Sequence, residues 1–225
     1  MELRQIHSQK DLSDLVADLG FLPFFQNEIE GFSIDEATPA GVWDAYLGLG
    51  PWLWRDEIAK DKNCIYGKFF ARKTGYISAE WFPHFANYRR DGYDFDARYD
   101  DGLVRYEDKR IYEIIEQNGP ITAPELRRKA GVSSKKASSF ESSMTRLQMM
   151  TYIVPVDFLF LKDENGGKKY SYGTTVFDLP ERWLGEKMCK AEYKTEPERS
   201  LEIMIQHIQT VLPGIDRSSV IKLLK

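Results

Sequence analysis

Residues 105–150 read RYEDKRIYEIIEQNGPITAPELRRKAGVSSKKASSFESSMTRLQMM, and the fold turns on this stretch. Arg105 to Gln117 has Ile111, Ile114 and Ile115 at helical spacing, and Asn118-Gly119-Pro120 stops that helix. Ile121 leaves room for only a short strand. Thr122 and Glu125 have capping-box spacing, with Pro124 tolerated in the first turn, so a second helix opens there and ends at Gly131. Ser133 or Ser134 caps a third helix to about Met149, with Ala137, Phe140, Met144 and Leu147 as its apolar stripe. Two β-rich runs follow, Tyr152 to Lys162 and Lys168 to Val176, around Asn165-Gly166, a strong short hairpin signal. Three helices, a tight turn and a hairpin give the order of a winged helix-turn-helix with a long wing.

Working outward, the N-terminal part reads as helical and aromatic. Ser8 and Asp11 open a helix with Leu12, Leu15, Val16 and Leu19 on one side, ending at Gly20. Ser33 and Glu36 open another stretch toward Tyr46, and Pro51 is placed to start a helix through Trp54 and Ile58. CIYGKFFARKTGYIS, from Cys64, reads as extended, and Ser78 precedes a helix bearing Trp81, Phe82 and Phe85. Asp91 to Gly102 reads as an acidic, solvated connector; it fails the calcium-loop pattern because Arg98 and Tyr99 occupy ligand and glycine positions. After the hairpin, Thr195, Pro197 and Glu198 form a capping box for a helix faced by Leu201, Met204, Ile205, Ile208 and Leu212, and Asp216 caps a last short helix. The expected class is α+β: mainly α with a β-hairpin wing, arranged as an N-terminal aromatic domain (1–102), a winged-helix domain (103–180) and a C-terminal helical segment (181–225).

Composition narrows the function. The 225 residues include 42% hydrophobic and 13% aromatic side chains, enough for a packed core, and no apolar run approaches a membrane span. The N-terminus lacks an apolar signal region, and Cys64 and Cys189 have no partner motif, so the expected location is the cytoplasm, with no metal and no cofactor. The net charge is −4, yet residues 105–170 hold 12 basic against 9 acidic side chains while the remainder holds 19 against 26. A basic middle third within an acidic chain is where nucleic-acid binding would reside.

In a helix-turn-helix the second helix of the turn enters the major groove. Here it would present Ser134, Lys135, Lys136, Ser138, Ser139 and Arg146 to the groove, with Arg127, Arg128, Lys168 and Lys169 on phosphates. The competing reading is a solvated Ser/Lys face on a protein-interaction scaffold that does not bind DNA, with homo-oligomerisation through the C-terminal helices. Glycine-rich phosphate loops and nucleophile elbows are missing from the sequence. The aromatics Trp52, Trp54, Phe69, Phe70, Tyr76 and Trp81 could stack an extruded base, although their spacing favours core packing.

RIYEIIEQNGPITAPELRRKAGVS, the ending MTRLQMM and above all FDLPERWLG resemble the central winged helix of the AlkZ/YcaQ-type crosslink-repair DNA glycosylases. Phe177, Asp178, Leu179, Glu181 and Arg182 match that family's segment after the wing. YGKFFARKTGYISAEWFPHFANYRR and DLVADLGFLPFF resemble its earlier segments more loosely. The resemblance implies duplex DNA as partner and an alkylation- or crosslink-repair setting. It also implies a polar pair around one apolar residue that activates water, and at those positions this chain has Pro23 and Phe25 around Phe24. Neither accepts a proton. The expectation is a shorter relative, lacking much of the family's later domain and its catalytic pair, that binds DNA without glycosylase activity. The alternative is a divergent glycosylase using Gln26, Glu28 or His84 around the water.

Overall fold

A computed structural model describes residues 3–43, 50–133, 137–161 and 173–225. The chain is α+β. Helix α1 (Gln9–Leu19) starts where the Ser8 hydroxyl accepts the Asp11 N–H, and it buries Leu12, Leu15, Val16 and Leu19. Strand β1 (Phe21–Pro23) follows Gly20 directly. The capping box at Ser33 opens α2 (Ile34–Ala37), with the Ser33 hydroxyl donating to Glu36 at 2.6 Å. That helix stops at Thr38, before Pro39, and does not run toward Tyr46. Pro51 does not start a helix either. The Leu53 N–H returns to Gly50, so 50–53 is a turn that drives Leu53 into the core, and α3 (Arg55–Asp61) begins after it.

Strands β2 (Cys64–Phe70) and β3 (Lys73–Ser78) form an antiparallel hairpin, and β1 pairs with the other edge of β3. Gly67 and Gly75 face each other across it; a Cβ on Gly75 would lie 2.4 Å from the Phe70 ring and 2.7 Å from the Leu22 carbonyl. Helix α4 (Phe82–Arg90) packs over this sheet. The expected acidic connector instead holds α5 (Phe95–Asp100). Asp94 accepts the Ala97 N–H as its cap, and Phe95 is buried, stacked on Tyr112 at 3.7 Å. The carboxylate at position 94 therefore serves a helix start.

Next come α6 (Tyr106–Asn118), β4 (Ile121–Thr122), α7 (Ala123–Lys129), α8 (Ala137–Met149), β5 (Val154–Leu159) and β6 (Thr174–Asp178). The three strands form a second antiparallel sheet in the order β4-β6-β5. Ile111, Ile115, Leu126, Phe140, Met144, Leu147 and Phe177 share one buried cluster there. The Asn165-Gly166 turn lies outside the described residues.

Helices α9 (Pro180–Leu184), α10 (Glu186–Cys189), α11 (Pro197–Val211) and α12 (Arg217–Leu224) complete the chain. Thr195 does not cap α11: its hydroxyl donates to Glu192, and Glu196 precedes the helix. Asp216 does cap α12, accepting the Ser219 N–H. Met204, Ile205, Ile208 and Leu212 of α11 are buried in a larger core that also holds Phe21, Phe69, Phe85 and, from β5, Val154 and Phe158. FDLPERWLG acts as a staple. Arg182 bonds Asp178 at 2.5 Å and donates to the carbonyls of Ile115 and Glu116, closing the end of α6. Glu181 pairs with Arg90 of α4, which also bonds Thr151.

Candidate nucleic-acid interface

Helix α8 divides its sides. Phe140, Met144 and Leu147 face its own cluster, while Thr145 and Gln148 meet β2: Lys68 donates to the Thr145 hydroxyl at 3.2 Å, and the Lys68 backbone N–H donates to the Gln148 side-chain carbonyl at 3.3 Å. The remaining side is open. Ser138 and Ser139 are exposed, and Ser142 is half-buried with its hydroxyl turned back to the Ser138 carbonyl at 2.9 Å. Ser134, Lys135, Lys136, Lys168 and Lys169 lie outside the described residues.

The arginines expected on phosphates (Arg127, Arg128) and in the groove (Arg146) are not equivalent. Arg127 bonds Glu141 at 2.5 Å, with its guanidinium over the Phe140 ring, so much of its charge is neutralised. Arg128 is exposed, with Glu125 at 3.8 Å. Arg146 is held from below: Nε and Nη2 donate to the two oxygens of buried Asp108 at 2.8 and 2.6 Å, and Nη2 also donates to Ser143. The hydrogen bonds to Asp108 keep the guanidinium above its usual pKa range. This bidentate pairing fixes the plane of Arg146 and compensates its positive charge.

Arg72 and Arg105 join Arg146, Ser139, Ser142 and Met149 around an open cleft of about 520 Å³. Sequence reasoning passed over both. Arg72 stands in the two-residue turn between β2 and β3, where Phe70 pairs with Lys73. Its proximity to α8 depends on two segments far apart in the chain, so no local pattern announces it. Ala71 and Arg72 both adopt positive φ, 47° and 70°, as a type I′ hairpin turn demands. Neither residue favours that region, so the hairpin holds the turn at a local conformational cost.

A second cleft, about 270 Å³, separates the N-terminal sheet from α8 and β5, with Trp52, Arg55, Tyr66, Lys68, Gln148 and Phe158 in its walls. The Arg55 guanidinium stacks over Trp52 and Phe158 at 4.7 and 4.4 Å. Of the aromatics weighed for base stacking, Phe69, Phe70 and Tyr76 are core residues, and only Trp52 lines this space.

The candidate catalytic side chains do not converge. Glu28 sits 3.5 Å from Lys222, and exposed Gln26 contributes its backbone carbonyl to Lys73. His84 is elsewhere, between α4 and α11, with Ser200 at 3.3 Å and Glu192 at 3.8 Å, both on Nδ1. One ring nitrogen cannot both take a proton from the serine and be oriented by the acid, so this is no nucleophile relay. Phe24 is fully buried and stacked on Trp52 at 4.2 Å, Pro23 is buried and Phe25 faces Trp52. Burial pushes both cysteine thiols up to about 12, which makes them poor nucleophiles. Among the described residues, no group of three or more His, Cys, Asp or Glu could hold a metal, and no helix is long and apolar enough to cross a membrane.

The model of the AlkZ-related family matches residues 6–225, nearly the whole chain. The chain belongs to the AlkZ-related family. No curated protein and no solved structure matches it. Membership relates this AlkZ-related protein to the DNA-repair glycosylases, in line with the resemblance carried by Phe177 to Arg182.

Proposed function

We propose that this AlkZ-related protein binds duplex DNA through a winged helix spanning residues 103–180, and that it does not hydrolyse glycosidic bonds by the water-activating pair of the glycosylases it resembles. The observation carrying the reading is that the serine-bearing side of α8 is left uncovered while the neighbouring flank of the same helix is packed on β2. The order helix–strand–helix–helix–hairpin, with the short first strand paired to the last, is what a winged helix requires. In that reading α8 lies in the major groove, presenting Ser138 and Ser139, with Ser134, Lys135 and Lys136 ahead of them, while Arg128 and the wing lysines Lys168 and Lys169 meet phosphates. Neither Pro23 nor Phe25 carries a group able to take a proton, which favours binding without base release by that pair.

Anisotropy titration of intact and alkylated duplexes at two salt concentrations tests the binding, and a single-turnover assay for free base tests the chemistry. Binding that weakens steeply with salt, without base release, is the expected result. Base release by the purified chain would reinstate the divergent glycosylase, and absence of binding at low salt would leave the scaffold reading.

A further inference from the structure

We propose that Arg72, Arg105 and Arg146, with the Ser139 hydroxyl, clamp one backbone phosphate of the duplex, so that the N-terminal hairpin shares the DNA with the winged helix. This rests on the DNA-binding reading above and adds a contact that a winged helix alone would not supply.

Three segments distant in sequence bring a guanidinium each to one open cleft: the β2–β3 turn, the start of α6 and the last turns of α8. No side chain among those lining it is acidic; buried Asp108 bonds Arg146 from beneath, and Glu107 lines the adjoining groove with Tyr106 and Arg110. Among the described residues, neither Arg72 nor Arg105 has an ion-pair or hydrogen-bond partner through its side chain, and both are exposed. Arg146 differs: Asp108 and Ser143 take its Nε and Nη2 donors and pin its plane, which leaves Nη1 for a ligand. Like charges gathered at one cleft repel, and an oxyanion relieves that repulsion. Guanidiniums suit a phosphodiester, because Arg72 and Arg105 can each offer paired N–H donors to two oxygens, and the exposed Ser139 hydroxyl adds a short-range donor. The positive φ at Ala71 and Arg72 fixes where the turn sits beside α8.

The test uses the full chain and a fluorescein-labelled duplex titrated across a salt series. Arg72→Asn is the informative variant, because asparagine tolerates a positive φ and the turn survives. Arg105→Gln is its companion, Arg72→Lys retains the charge, and Lys187→Gln on α10 changes net charge equally away from the cleft. Thermal melting verifies that each variant is folded. Arg72→Asn and Arg105→Gln are each expected to weaken binding about tenfold and to lower the slope of log affinity against log salt by about one. Arg72→Lys should retain the slope and Lys187→Gln the wild-type curve. If the wild type binds but Arg72→Asn behaves like Lys187→Gln, the clamp is refuted while DNA binding stands. If the wild type does not bind, the underlying reading falls and the clamp with it. Competition by inorganic phosphate alone, equal for wild type and Arg72→Asn, would also count against the clamp.

Discussion

Arg90 and Glu181 meet at 2.5 Å across 91 residues of chain, their side chains 8% and 23% exposed. The guanidinium spans three elements at once. It leaves α4, bonds the carbonyl and hydroxyl of Thr151 just after α8, and ends on the carboxylate of α9. Thr151 itself has a positive φ of 59° and is fully buried, so the arginine secures a turn that the chain alone disfavours. The segment from Phe177 to Gly185, which carries the family resemblance, thus joins the N-terminal half to the second sheet.

Replacing Arg90 with Met should cost about 2–4 kcal/mol, since it strips a buried pair of one partner and orphans the Thr151 carbonyl. Urea denaturation measures it. Glu181→Gln should cost less, because an amide can still accept from Arg90. Equal losses for the two would mean that the ion pair, and not the Thr151 bonds, carries the stability.

Gly75→Ala should destabilise by about 1–3 kcal/mol, because the new methyl meets both the Phe70 ring and the Leu22 backbone carbonyl. The ring can turn but the carbonyl belongs to β1, so the sheet edge must shift. A loss under 0.5 kcal/mol in the same denaturation assay, within the range of about ±0.5 expected of surface changes, would show that β1 yields freely.

His207 stacks on Trp81 at 3.9 Å and donates from Nε2 to the Leu19 carbonyl. Burial lowers its pKa below the ordinary 6.5. The unfolded chain therefore takes up the proton first as pH falls. The stability contribution is complete above about pH 6.5 and is lost below it, until the folded-state value is passed. The melting temperature should drop between pH 7 and 5, and His207→Gln should flatten that part of the profile.

Ser139→Asp places a carboxylate among Arg72, Arg105 and Arg146. Duplex affinity should fall at least about tenfold with the melting temperature unchanged or raised, since the new charge pairs with cations that repel one another. A variant that still bound like the wild type would remove Ser139 from the contact surface.

Much of the fold was legible because its signals are local. The caps at Ser8, Ser33, Thr122 and Asp216 each accept the N–H that their spacing promises. What failed was also local, where tertiary burial overrode it: Leu53 is drawn inward and delays α3, and Phe95 is drawn inward and turns an acidic run into a helix. On the candidate interface, residue type alone pointed to Arg127 and Arg146, but not to their carboxylates, which come from other helices. Arg72 and Arg105 were invisible for the same reason, since only the folded chain brings a hairpin turn beside α8.

The bonds from Lys68 to Thr145 and Gln148 have one more consequence. In the proposed DNA-binding reading, a reading head held to its mount at these two positions has little freedom to roll or tilt to suit each target. Any adjustment at the contact must then come from the double helix, by widening, kinking or unwinding, and the ease of that distortion varies with base step. Discrimination by such a rigid reader would follow the softness of the target more than the edges of its bases.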